Sequence, residues 1–129
     1  MPTGLRAMPC LPCTDPADTA ARLGRLFGFT AAGFWRDANG AETFGILRLG
    51  AVTLALRRAA SVSPQEGWAA YLFVDDAAAL AELARAQGGI VDGPEDRPWG
   101  CREVLWTDPD GNILCFAEDL RPGPDGPGL

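Results

Sequence analysis

The sequence predicts an α+β chain made of two tandem βαβββ modules, on three observations. Landmarks of the first half return in the second at one constant spacing: Leu11 and Leu72, Asp15 and Asp76, Gly28 and Gly89, Gly50 and Gly111. Each half holds a single helical run that opens at an Asp and stops at a Gly. Each run is followed by three strand-like pieces parted by turn residues.

In the first module, residues 7–12 read as a strand. Thr14-Asp15-Pro16 then supplies a cap and a first-turn proline, so a helix runs to Phe27 and ends at Gly28. Strands are expected at 29–36, 43–49 and 52–57, separated by the Asn39-Gly40 turn and by a turn at Gly50. The second module opens with a strand at 68–74 and passes through Asp75-Asp76 into an alanine-rich helix at 77–87, closed by Gly88-Gly89. Its strands are expected at 90–92, 101–107 and 112–118, with Asp108-Pro109-Asp110-Gly111 as the last hairpin turn. The modules span 5–58 and 67–120 of a single domain at 1–120, joined by a linker at 59–66. The Pro- and Gly-rich residues 121–129 read as a loose tail.

Composition narrows the chemistry. The chain has 129 residues, no histidine, and only arginine among its 11 basic residues. Imidazole acid–base catalysis, imidazole metal ligation, a Ser-His-Asp triad, Schiff-base lysines and a phosphate-binding loop lysine are all excluded. A net charge of −6, with arginines scattered along the sequence, argues against a nucleic-acid partner and suits a cationic small ligand. No apolar run reaches membrane-span length, so no membrane partner is expected and the cytoplasm is the expected location. Cys10, Cys13, Cys101 and Cys115 match no disulfide framework and are expected to be reduced. Cys10-Leu11-Pro12-Cys13 has the spacing of a redox pair, but both thiols precede the helix, and small buried thiols are the preferred reading.

The paired modules, with Pro98-Trp99-Gly100-Cys101-Arg102-Glu103 ahead of Asp108-Pro109-Asp110-Gly111-Asn112, carry a family signal. Over about Leu5 to Leu120 the chain resembles the vicinal oxygen chelate superfamily of glyoxalases, extradiol dioxygenases and resistance proteins, and most of all its bleomycin-resistance branch. One departure is Leu23-Gly24, where the family often has an aromatic pair. The resemblance implies a curved mixed sheet around a concave groove. It also implies metal-ligand positions seven residues before each helix-opening Asp and four after each last-turn Gly: Met8, Leu54, Ala69 and Cys115. None is a hard oxygen or imidazole donor, so no metal and no cofactor are expected.

What the resemblance implies instead is a metal-free protein that sequesters a planar cationic ligand, an antibiotic such as bleomycin, in the groove of a homodimer. The residues matching the aromatic places are Phe34, Phe44, Tyr71, Phe73 and Trp99, with Glu103 as an acidic contact. With the resemblance's ligand positions marking the groove side, strand alternation adds Tyr71 and Phe73 to Ala69, and Ile113 to Cys115; the same family alignment implies Glu103 and Leu105 on the groove side and Arg102 and Trp106 on the other. The resulting ligand-binding set is Phe34, Phe44, Tyr71, Phe73, Trp99, Glu103 and Cys115.

Competing readings stand beside these. A one-residue register shift would make Phe44 and Phe73 ordinary sheet core. Glu103 could pair with Arg102 or Arg48, and Trp35 and Trp68 read as packing or dimer residues. The alternative function is a superfamily enzyme acting without the usual ligands, with Tyr71, Glu103 or Cys115 as acid or base.

Overall fold

A computed structural model describes residues 1–124 and residue 126. The tail expected at 121–129 falls partly outside the described residues. The elements are β1 (Cys10–Cys13), α1 (Pro16–Phe27), β2 (Thr30–Arg36), β3 (Glu42–Leu49), β4 (Val52–Arg58), β5 (Ala70–Phe73), α2 (Ala77–Ala86), β6 (Asp92–Asp96), β7 (Cys101–Thr107) and β8 (Ile113–Asp119). They form two four-stranded mixed sheets of identical topology, β1-β4-β3-β2 and β5-β8-β7-β6. The outer pairs β1·β4 and β5·β8 are parallel, and the rest are antiparallel.

Both helices start as the sequence dictates. Asp15 and Asp76 sit in extended conformation, and their carboxylates accept from the amides of Asp18 at 3.1 Å and Ala79 at 2.9 Å. Each bond satisfies one of the orphan N–H groups of a first turn. Gly28 ends α1 at φ 84°, a conformation that a side chain would strain.

The helices lie on one face of the sheets and bury a single core shared by both modules. Leu23, Leu26 and Phe27 of α1 and Leu80, Ala81 and Ala84 of α2 pack with Leu47, Leu54, Leu56, Leu72, Val104, Trp106, Leu114 and Phe116. Phe27 crosses between modules, with its ring 4.5 Å from Phe116 and 5.5 Å, edge-on, from Trp106. Each such ring pair contributes about 0.5–1.5 kcal/mol beyond the area it buries. The Asp108–Asn112 turn is a second tie. Asp108 accepts from the amides of Asp110 and Asn112, Asn112 Nδ2 donates to Pro12 O at 2.8 Å, and the Thr14 hydroxyl donates to Asp110 at 2.8 Å. These bonds clamp the end of β1 to the other module and leave both helix-free sheet faces open.

Two sequence expectations change here. The strand expected at 90–92 is β6 at Asp92–Asp96, which contains Gly93 and Pro94. It is the outermost strand of its sheet and pairs only with β7, through a register shift between Asp92 and Glu95, so a proline there interrupts no second ladder. Ile90 is left 88% exposed outside the core.

The constant repeat spacing also fails in the last hairpins. β3 and β4 pair Leu49 with Val52, whereas β7 and β8 pair Thr107 with Ile113 around a longer turn. In the parallel pairs Cys10 stands beside Ala55, and Tyr71 beside Cys115. Ala55 is therefore the counterpart of Cys115, and Leu54 is not. Leu54 points to the helices and is fully buried, so its assignment as a vacant ligand position on the groove face is corrected to Ala55.

Candidate functional site

The open face of the second sheet gathers most of the candidate residues. Tyr71 and Phe73 come from β5, Glu103 and Leu105 from β7, and two loops bring Trp68 and Trp99 alongside. The rings form a continuous set, Trp68 to Tyr71 at 5.0 Å and Tyr71 to Phe73 at 5.4 Å. Trp68, Trp99 and Phe73 are 54%, 50% and 42% exposed, so ring faces remain available to a ligand. A shallow cleft of about 210 Å³ lies between Trp68 and Trp99, over Glu103, Leu105 and Ile113.

Glu103 organises this face from beneath, at 4% exposure. Its Oε2 accepts from the Tyr71 hydroxyl at 2.7 Å and from Trp99 Nε1 at 3.2 Å, and its Oε1 accepts from Arg97 Nε at 3.1 Å. Arg97 reaches Glu95 as well, at 3.3 Å, while Arg102 pairs with Asp96. A buried carboxylate needs such donors. With its charge compensated by Arg97, Glu103 acts on the rings by holding them and presents no open negative charge. Burial, together with Cys101 and Glu103, pushes the Tyr71 phenol well above its ordinary range, so it stays a donor.

The structure separates the other candidates. Cys115 is fully buried with Cys101 and Ala117 under Tyr71 and Leu105. Burial, with Glu103 nearby, pushes its thiol up to about 12. It is corrected from a groove-lining residue to a packing one, because a small side chain beneath large neighbours cannot reach a ligand. Phe34 lies on the helix side, folded over Gly45, where an added Cβ would sit 2.7 Å from its ring. Gly45 pairs with Leu56, a core residue, so Phe34 is corrected from the groove to the opposite face. The register shift between Ala31 and Gly33 sets the pairing that puts Phe34 opposite Gly45. Phe44 stays on the open face of the first sheet, half-buried and edge-on to Trp35 at 5.7 Å. Trp68 and Arg97 are the two residues that the sequence reading did not place at this face. Both sit in loops, Trp68 because the strand expected at 68–74 begins only at Ala70.

Two of these groups bear on catalysis. The Tyr71 phenol is pushed upward and the Cys115 thiol to about 12, so both hold their protons at neutral pH. The superfamily's divalent metal does not fit this chain. Met8, Ala55, Ala69 and Cys115 offer a thioether, two methyls and a buried thiol, and among the described residues no three His, Cys, Asp or Glu side chains group together.

No helix is long and apolar enough to cross a membrane. A larger cleft of about 470 Å³ opens on the helix side between Leu26, Val52, Leu80 and Leu83, bordered by Phe73. It holds none of the other candidate residues.

Comparison with known proteins places the fold. The bleomycin resistance determinant encoded on the transposon Tn5 superposes with a TM-score of 0.74 at 27% identity, covering 90% of this chain and 98% of that one. A bleomycin-binding protein from bleomycin-producing Streptomyces verticillus, complexed with copper(II)-bleomycin, gives 0.70 at 25% identity, covering 90% and 97%. A glyoxalase-related enzyme from Clostridium phytofermentans gives 0.77 at 21% identity, covering 91% and 96%, a likeness of fold alone. No curated protein matches in sequence. The family model that matches residues 7–116 is the one to which both the repeat and the fold point, and the chain belongs to the glyoxalase/bleomycin resistance protein/dioxygenase superfamily.

Proposed function

We propose that this chain binds a planar small molecule on the Trp68–Tyr71–Phe73–Trp99 face and releases it unchanged. The observation that carries the reading is the mode of attachment of Trp99. Its indole N–H is tied to buried Glu103 while half of the side chain stays in solvent. A ring held by its edge presents its face, and stacking needs only the face. The net charge of −6 attracts cations over a Debye length, which favours a cationic planar ligand, and the bleomycin-binding relatives make bleomycin the first compound to try.

The same reading includes a homodimer that closes the groove. Trp35, Met8, Trp68, Phe73 and Trp99 are exposed apolar groups on or beside the open sheet faces, more than a monomer usually leaves in water. A cytoplasmic location belongs to it too, since all four cysteines are free.

Calorimetric titration with metal-free and copper-loaded bleomycin tests the ligand. Saturable heat at about 100 µM, the range that detects micromolar affinity, supports it, and silence from both forms rejects bleomycin. Sedimentation equilibrium tests the dimer, which a monomer at the same concentrations refutes.

A further inference from the structure

The arginines that look scattered along the chain are not scattered in space. Five of them reach carboxylates, namely Arg22, Arg36, Arg58, Arg97 and Arg102. Arg85 and Arg121 donate to backbone carbonyls. Among the described residues Arg6, Arg25, Arg48 and Arg57 have no ion-pair partner, and three of these four stand on or beside the open face of the first sheet. Arg48 faces Thr53 across β3 and β4, and Arg57 faces Phe44 at the far end of the same strands. Arg6 enters from the segment before β1 and shares a cleft of about 780 Å³ with Arg48, Met8, Ile46 and Thr53.

The composition of that cleft is unusual for an acidic chain. The protein carries 17 acidic residues, yet among the described residues none lines the cleft, and the open face from Phe44 to Arg48 and from Thr53 to Arg57 is free of them as well. Two guanidiniums stand over a floor made of a thioether, an aliphatic side chain and one hydroxyl. Guanidinium forks match the geometry of carboxylate, sulfate and phosphate, and the apolar floor rewards a ligand with a hydrocarbon body. Solvated surface arginines need no shared concavity, and in a chain of this charge they would be expected to find acidic neighbours.

We infer that the cleft of the first module is an anion subsite, in which Arg6 and Arg48 hold the oxyanion of an apolar small molecule while Met8 and Ile46 contact its hydrocarbon part. The subsite lies on the other sheet from the aromatic platform and does not depend on stacking there. It adds a requirement that net charge conceals, because the chain repels anions at long range and accepts one locally. Binding therefore weakens as salt screens the guanidiniums.

The test uses octanoate and octylammonium as matched probes of opposite charge, at constant ionic strength, followed by the Arg Nε–Hε and Thr53 amide signals of the isotope-labelled full chain. Octanoate should shift Arg6, Arg48 and Thr53 saturably and bind about tenfold or more tightly than octylammonium. Arg48→Gln and Arg6→Gln should each remove most of that preference, while Arg25→Gln on α1 leaves it intact. Inorganic sulfate should displace octanoate from native protein. Equal affinity for the two probes, or octanoate binding within twofold of native in both Arg48→Gln and Arg6→Gln, overturns the inference. The Trp99→Ala variant keeps the two readings apart. Loss of planar-ligand binding with octanoate binding retained locates ring capture at the platform, and octanoate failing while planar ligands still bind removes the anion subsite alone.

Discussion

Removing the Glu103 carboxylate tests the central contact of the platform. The side chain is buried and receives three donors, at 2.7, 3.1 and 3.2 Å. In Glu103→Ala all three lose their acceptor, but two keep a partial substitute, since Trp99 Nε1 is 3.3 Å from the Tyr71 oxygen and Arg97 retains Glu95. Hydrogen bonds to a charged group contribute about 1.5–3 kcal/mol each, and breaking a buried pair costs about 3–5 kcal/mol. Arg97 is 30% exposed, so water takes over part of its loss, and a net destabilisation of about 2–4 kcal/mol is expected. For a domain of this size that lowers Tm by about 8–15 °C. Glu103→Gln keeps one acceptor oxygen, and the Tyr71 hydroxyl can turn to accept from the new amide, so its cost should be about 1–2 kcal/mol. Urea unfolding measures both values, and near-UV circular dichroism reports whether Trp99 keeps a fixed environment. Two variants within about 0.5 kcal/mol of native, with unchanged near-UV spectra, would refute the claim that Glu103 holds the rings.

Further outcomes concern Trp99, the packing of Phe34, the cysteines and metal binding. Trp99→Ala should stay folded, lose about 1 kcal/mol of stability, and bind a planar ligand about 30-fold more weakly by calorimetry; a large stability loss with affinity intact would make Trp99 a core residue. Gly45→Ala brings a methyl 2.7 Å from the Phe34 ring and should cost about 1–3 kcal/mol, a penalty that Phe34→Ala in the same chain relieves; additive effects would refute the packing of Phe34 over Gly45. At about pH 8 a thiol reagent should label exposed Cys10 quickly and the other three cysteines only on unfolding. Burial raises the Cys13 and Cys115 thiols to about 12, so the folded state holds their protons more tightly than the unfolded chain does, and stability is fully present below about pH 9 and falls as pH rises toward 12; a urea midpoint that climbs over that interval contradicts the assignment. Millimolar magnesium, manganese or zinc should leave Tm within about 1 °C, and a saturable rise would revive the metal site.

Much of the architecture was legible because it depends on local chemistry. Asp15 and Asp76 cap helices through bonds that span three residues, Gly28 stops α1 through its own φ, and strand alternation, anchored by the family resemblance, put Tyr71, Glu103 and Leu105 on one face and Trp106 on the other. The absence of histidine and lysine settled which catalytic groups were unavailable before any fold was known. Pairing decided the rest. Leu54 gave way to Ala55 because the two last hairpins differ in length, and Phe34, assigned to the groove through the resemblance alone, lies on the other face because the irregular pairing of β2 sets it opposite Gly45. Cys115 has the right face and the wrong depth, since depth depends on the bulk of neighbours from other strands. Trp68 and Arg97 joined the site from loops, whose course is set by what they pack against. The arginines make the same point with charge: along the chain they are dispersed, and only the approach of the segment before β1 to the β3–β4 hairpin brings Arg6 beside Arg48. Side-chain type and short-range spacing are properties of the chain, whereas depth, register and convergence of charge arise only when distant segments share one surface.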